Sequence, residues 1–261
     1  MLDKIKGWNN YYAIKTAQVL SLVLMPIAVV VLVINFSWLY LFVALLSVLL
    51  ISKVGHSIGQ HRYFSHKSFK TDSKREWLMA FFGTLGTTHT AVHYAALHRY
   101  HHANSDTELD PHCPNKLGVI RSFFGFIDRT KADKIPFRIV KDLLSNKPVM
   151  FFYNWYWPTL VFYWILLIAM DPLLFVFCYI IPCGYVQFVA GVQLSLGHHK
   201  GYVNFDTRDK SINSLIWNVL TFGEGLHNNH HNKPYEYNFA YTSKPGEWDF
   251  CGWFVEKFLK V

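Results

Sequence analysis

The sequence predicts an all-α integral-membrane protein: four transmembrane helices in two hairpins, topped by a helical cap. Three observations point there. Charged residues are only 16% of the 261, while 52% are hydrophobic and 18% aromatic; soluble domains carry about 25% charged residues. The charges are missing from two long runs, with none from Thr16 to Ser52 and only Asp171 from Pro148 to His199. The basic residues outside those runs fall into three blocks, and none lies in the two short breaks within them.

Each run is about twice the ~20 residues that a spanning helix needs. The first breaks at Asn35-Phe36-Ser37, giving expected spans 17–34 and 36–52. The second breaks at Asp171-Pro172, giving 151–170 and 173–197. Helices are required because lipid offers no partner to a backbone N–H or C=O. Pro26, Pro158 and Pro182 are expected to kink spans, and Trp38, Tyr40, Tyr153, Trp155 and Trp157 suit an interfacial belt. The first apolar run is too long for a leader's apolar core and leads into a second, so no cleavable signal peptide is expected.

Of 25 Lys and Arg, three precede the first hairpin (Lys4, Lys6, Lys15), fifteen lie from Lys53 to Lys147, and seven follow from Lys200 onward. With four spans all three blocks share one side, which the positive-inside rule makes cytoplasmic. Both termini and a cap built from 53–150 and 198–261 are therefore expected there, in one membrane-integrated domain over 1–261. The net charge of +8 is then expected to reflect orientation plus a headgroup site, for anionic lipid or a phosphate-bearing substrate. A nucleic-acid role would need a basic groove with exposed stacking aromatics and is discounted. Cys113, Cys178, Cys183 and Cys251 form no paired motif, which excludes a disulfide framework or a zinc ribbon.

The chain has 14 histidines, and most fall into clusters. His56, His61 and His66 are spaced H-x4-H. His98-Arg-Tyr-His101-His102 and His227-Asn-Asn-His230-His231 repeat H-x-x-H-H, which sets three imidazoles on one helix face. In an α-helix the H-x4-H pairs would diverge unless the helix ends or bends there. Clustered neutral imidazoles have no packing advantage and repel when protonated, so metal ligation is expected. Imidazole suits zinc, copper, iron and nickel, and the number of rings fits two ions better than one. His89, His93 and His112 are expected to be ordinary polar residues.

His61-Arg-Tyr-Phe-Ser-His66, His98-Arg-Tyr-His101-His102 and Gly223-Glu-Gly-Leu-His227-Asn-Asn-His230-His231 resemble the three histidine boxes of integral-membrane fatty acid desaturases. The similarity is to the delta-9 type, which includes stearoyl-CoA desaturase and cyanobacterial acyl-lipid desaturases. Gly59-Gln-His-Arg-Tyr-Phe-Ser-His-Lys-Ser-Phe69, Asp110-Pro-His112 and His198-His-Lys-Gly-Tyr202 extend the match, from about Gly55 to Pro234. The resemblance implies an oxygen-dependent di-iron enzyme that removes two hydrogens in sequence from an unactivated acyl chain, leaving a cis double bond. The chain would be carried on CoA, lipid or carrier protein. The ligands implied are His61, His66, His98, His101, His102, His198, His227, His230 and His231. Asp106, Asp110, Glu224 and Asn228 are expected to support them, Thr88, Tyr94 and Ala190 to line a bent acyl tunnel, and Lys131 to meet the headgroup.

Three departures stand out. The family usually has Asn four residues before the histidine matched to His198; here it is Leu194, with Gln193 or His199 as candidate substitutes. Ala96-Leu97 replace the Arg-Asp that precedes the second box of the acyl-CoA subgroup. No fused haem motif or iron–sulfur cysteine set is seen in the thirty residues after His231, so electrons are expected from a separate ferredoxin or cytochrome b5. A bacterial inner membrane and an endoplasmic reticulum membrane fit equally. A membrane di-iron hydroxylase is the nearest rival, and the delta-9-like third box favours desaturation over it. A metal transporter would hold its ligands within spans, whereas these boxes lie outside the charge-free runs.

Overall fold

The computed structural model describes residues 11–261; Lys4 and Lys6 of the first basic block lie outside them. The protein is helical, with no strand among the described residues and two isolated bridges, Tyr202–Asn213 and Asn213–Leu226. Helix α1 is Tyr11–Ile34 and α2 is Trp38–Ser65. Between them Ser37 Oγ accepts from Tyr40 N at 3.1 Å and starts α2. Helices α3 (Ser73–Leu85) and α4 (Ala91–Asn104) begin at Asp72 and Thr90, whose side chains accept from Arg75 N and His93 N. Short turns of helix lead to α5 (Lys147–Asn154), α6 (Tyr156–Met170) and α7 (Pro172–His198). The last helices are α8 (Leu215–Thr221), α9 (His227–Asn232) and α10 (Phe250–Phe254).

Three helices, α1, α2 and α7, are long and apolar enough to cross a membrane. Their outward side chains, among them Leu20, Ile27, Val33, Trp38, Leu39 and Phe42, are exposed, as are Phe162, Ile165 and Met170 of α6. The fourth expected span is shorter than the sequence suggested. α6 has 15 residues, about 22 Å of helix against a core of about 30 Å. Trp155 leaves the helical region (φ −105°, ψ 22°) and separates Phe151–Asn154 into α5. Pro158 therefore falls in the first turn of α6, where its missing N–H costs nothing, and is not a kink inside a span. Pro26 does lie inside α1. The two helix breaks meet at one end of the molecule, where Tyr40 donates to Asp171, which also caps α7 through Leu173 N.

Close approach of backbones fixes the bundle. A Cβ on Gly184 would sit 2.5 Å from Ser21 O, so α7 lies directly on α1. A Cβ on Gly55 would sit 2.3 Å from the Phe82 carbonyl carbon, so α2 lies equally close to α3. α2 does not stop at the expected Ser52. It runs to Ser65, and from Val48 it is π-helical. Bonding from i to i+5 stacks residues five apart, so the H-x4-H histidines share a face where an α-helix would have splayed them.

Candidate metal centre

Four elements bring the histidines together. The π-helical end of α2 supplies His61 and, at its C-cap, His66. α4 supplies His98, His101 and His102, the last turn of α7 supplies His198, and α9 supplies His227, His230 and His231. All nine expected ligands converge in two groups. His61, His66, His98 and His230 offer nitrogens within 4.8 Å of one another, as do His101, His198, His227 and His231. His102 joins the first group, its Nε2 lying 3.1 Å from His98 Nε2 and 2.9 Å from His230 Nε2. Its ring centroid is also 4.4 Å from that of His231, on the border of the second group.

Carboxylates set the orientation of the rings. The Nδ1–H of His101 donates to Asp110 at 2.9 Å and that of His198 to Asp106 at 2.9 Å. His61 Nδ1 lies 3.2 Å from Glu224 Oε2. A fourth pair was not read from the sequence: His231 Nδ1 donates to Asp209 at 2.7 Å. Asp209 lies in no histidine box, and no spacing links it to His231. A proton held at Nδ1 leaves Nε2 as a lone pair. Two of these lone pairs meet a further ring nitrogen: His61 Nε2 lies 3.0 Å from His230 Nε2 and His198 Nε2 3.2 Å from His227 Nε2, while the Nδ1 atoms of His227 and His230 are buried without partners. His231 Nε2 is buried with no hydrogen-bond partner. Such an inward-facing set is repulsive by itself and fits a pair of nitrogen-binding cations.

Electrostatics agrees. Burial first, and neighbouring imidazoles second, hold His66, His98, His102, His227 and His230 well below the ordinary histidine range. They are neutral, as ligation requires. Burial also lowers His231, to about 4, against the opposing pull of Asp209. Burial pulls His101 down too, but Asp110, Asp106 and Asp209 together outweigh it and raise it. The same contacts hold Asp110 at about 2 against its own burial. Glu224 is likewise lowered despite complete burial, chiefly by Arg62, which bonds it at 2.9 Å and Asp249 at 2.7 Å.

The other expected residues divide. Thr88, Tyr94 and Ala190 all line one cavity of about 730 Å³, mouth included, whose wall also contains His98, His101 and His227. Asn228 does not meet a ring. Its side chain accepts from Asn204 N and Phe205 N and donates to Phe205 O, so it shapes the loop that carries Asp209. Leu194 lines the cavity, and neither candidate substitute reaches a ligand position: Gln193 donates to Glu224 at 2.6 Å, and His199 is exposed. Lys131 is engaged with Asp128 at 3.7 Å and Asp110 O at 3.4 Å, outside the cavity wall.

The site defines a helical protein with membrane-length helices and two adjoining histidine groups, each able to hold a metal ion, beside a cavity. Comparison with known proteins narrows the class. Residues 36–241 match the model of the fatty acid desaturase family. The chain is 33% identical over 222 residues to an sn-1 stearoyl-lipid 9-desaturase of Anabaena variabilis, covering 82% of this chain and 77% of that one. It is 34% identical over 230 residues to the enzyme of that name from Synechocystis, covering 87% and 70%. It is 30% identical over 236 residues to an acyl-CoA 5-desaturase of Anemone leveillei, covering 87% and 70%. The chain belongs to the fatty acid desaturase family and is an oxidoreductase.

Proposed function

We propose that the protein inserts a cis double bond, at a delta-9-like position, into an acyl chain, using dioxygen and two electrons from a separate ferredoxin or cytochrome b5. The convergence of nine imidazoles beside one cavity is the observation that carries this reading. Two irons would be held by His61, His66, His98, His102 and His230 on one side and by His101, His198, His227 and His231 on the other. Bound there, they supply the oxygen-dependent hydrogen abstraction that defines the family.

The chain's own residues do the rest. Asp106, Asp110, Asp209 and Glu224 keep the Nδ1 protons in place and the Nε2 lone pairs pointing inward. Thr88, which donates to Gln60, Tyr94, which packs edge-on against His56 with centroids 5.2 Å apart, and Ala190 shape the wall along which the acyl chain lies. Leu194 keeps that wall apolar where the family usually has an amide. The cap excludes solvent from the reacting carbons. The names of the cyanobacterial relatives, and Ala96-Leu97 in place of Arg-Asp, favour an acyl chain carried on lipid over CoA, with carrier protein the remaining source.

The fold supports a single unit in which α6, extended by α5 or lying in a thinned leaflet, is the fourth span. Both termini and the cap then face the cytoplasm. Expression with a suitable donor, followed by fatty-acid profiling of lipid, CoA and carrier-protein pools, tests the proposal. The expected product is a monounsaturated chain in the lipid pool, absent with His101→Ala or His230→Ala. Full activity in either variant removes the ligand assignment.

A further inference from the structure

Helix α1 has two faces of opposite character. Leu20, Val23, Ile27 and Val30 point outward and are exposed. Lys15, Gln18 and Ser21, at helical spacing, point inward. Lys15 is 6% exposed and Gln18 4%. An ionisable amine and an amide buried in an apolar helix are costly and mark function by default. Local bonding does not use them up. Lys15 Nζ donates to Gly125 O at 2.6 Å and Phe124 O at 3.4 Å, and no carboxylate among the described residues pairs with it. Gln18 Nε2 donates to Thr87 O at 2.9 Å, but its Oε1 is buried without a partner. His112 Nδ1 is in the same state. All three line the cavity that reaches His98 and His101, and the His112 ring lies 5.9 Å from that of His101. A lysine that merely strapped α1 to the 124–125 turn would need neither orphaned atom beside it.

We propose that Lys15, Gln18 and His112 form a polar subsite for the carbonyl head of the substrate, an acyl ester or thioester, and so fix how far the chain advances toward the histidines. This rests on the acyl-desaturase reading. A carbonyl oxygen only accepts, so the Lys15 N–H that makes only the long 3.4 Å contact to Phe124 O, together with the His112 N–H, holds it. Gln18 Oε1 accepts from a donor on the carrier, a hydroxyl or an amide N–H. Ala190 and Leu194 flank the methylenes. No bond changes at the subsite; it positions.

The test uses the full chain in detergent, stripped of metal, so that binding is read without turnover. The probes are methyl stearate, stearoyl-CoA and octadecane, each displacing a fluorescent polyene. Both carbonyl probes should bind more tightly than octadecane, and Lys15→Met should shrink that preference roughly tenfold or more, with Lys15→Arg retaining part of it. Gln18→Met should weaken stearoyl-CoA, which carries amide N–H groups, and spare methyl stearate, which has no donor. An unchanged preference in a folded Lys15→Met overturns the proposal. If that variant does not fold, Gln18→Met decides, and equal effects on the two carbonyl probes overturn it. In the iron-loaded enzyme, Lys15→Met should spread the double bond over several positions. Desaturation by the wild-type chain in the same preparation tests the parent reading separately: no unsaturated product, with the carbonyl preference intact, sinks that reading and keeps the subsite.

Discussion

Four of the imidazoles in the centre, His61, His101, His198 and His231, meet a carboxylate at the far nitrogen, and Asp209 shows how much rests on it. Its carboxylate receives the His231 proton at 2.7 Å and is driven down by that bond, against its partial burial. Asp209→Asn should lower metal affinity by about ten- to a hundredfold, read as a loss of iron from the second group by metal analysis at limiting iron. Asn228→Ala should act indirectly, through the loop, and lose stability before it loses metal. The box histidines could be read from the sequence because their spacing is local. Asp106, Asp110 and Glu224 could be read because they sit close to boxes. Asp209, Lys15 and Gln18 could not, because only the tertiary fold carries them to the site. Asn228 was misplaced because adjacency along the chain does not say which way a side chain turns.

Elements deliver these residues, and their joints can be tested. Arg99 of α4 donates to Phe64 O and Ser65 O at the end of α2 and pairs with Asp142, tying the second box to the first. Burial would raise the Asp142 carboxyl, but Arg99 and Lys67 hold it down at about 2. A depressed carboxyl contributes stability that is full above its ordinary value and is lost as pH falls through the folded one. Asp142→Asn should therefore cost on the order of 1–2 kcal/mol at pH 7, allowing for partial exposure. The gap should close between about pH 4 and pH 2 in denaturation curves. Gly55→Ala should force α2 from α3 and cost about 2–4 kcal/mol, seen as a lower Tm. Charge gaps mark the three long apolar helices α1, α2 and α7, since lipid tolerates few charges. They could not show that α2 continues past Ser52 as a π-helix, because that winding depends on packing against α3 and α4. Nor could they show the break at Trp155, which apolar composition hides.

At the scale of the molecule, low charge and abundant histidine have separate causes. Three long apolar helices and a shorter fourth account for the first, and the two adjoining histidine groups account for the second. If the two groups act as one centre, iron should bind at two per chain. Removing it with a chelator should abolish product while leaving helix content intact, because the helices have their own apolar core. Ala190→Phe should block the cavity, ending turnover of long chains with both irons retained. The most direct test of the central claim is the mass of the product made from a saturated long-chain acyl lipid by the iron-loaded protein with a reduced donor and oxygen. The account predicts a chain lighter by two hydrogens, with one cis double bond. A chain heavier by one oxygen, or an unchanged chain from protein carrying its full iron, would contradict it.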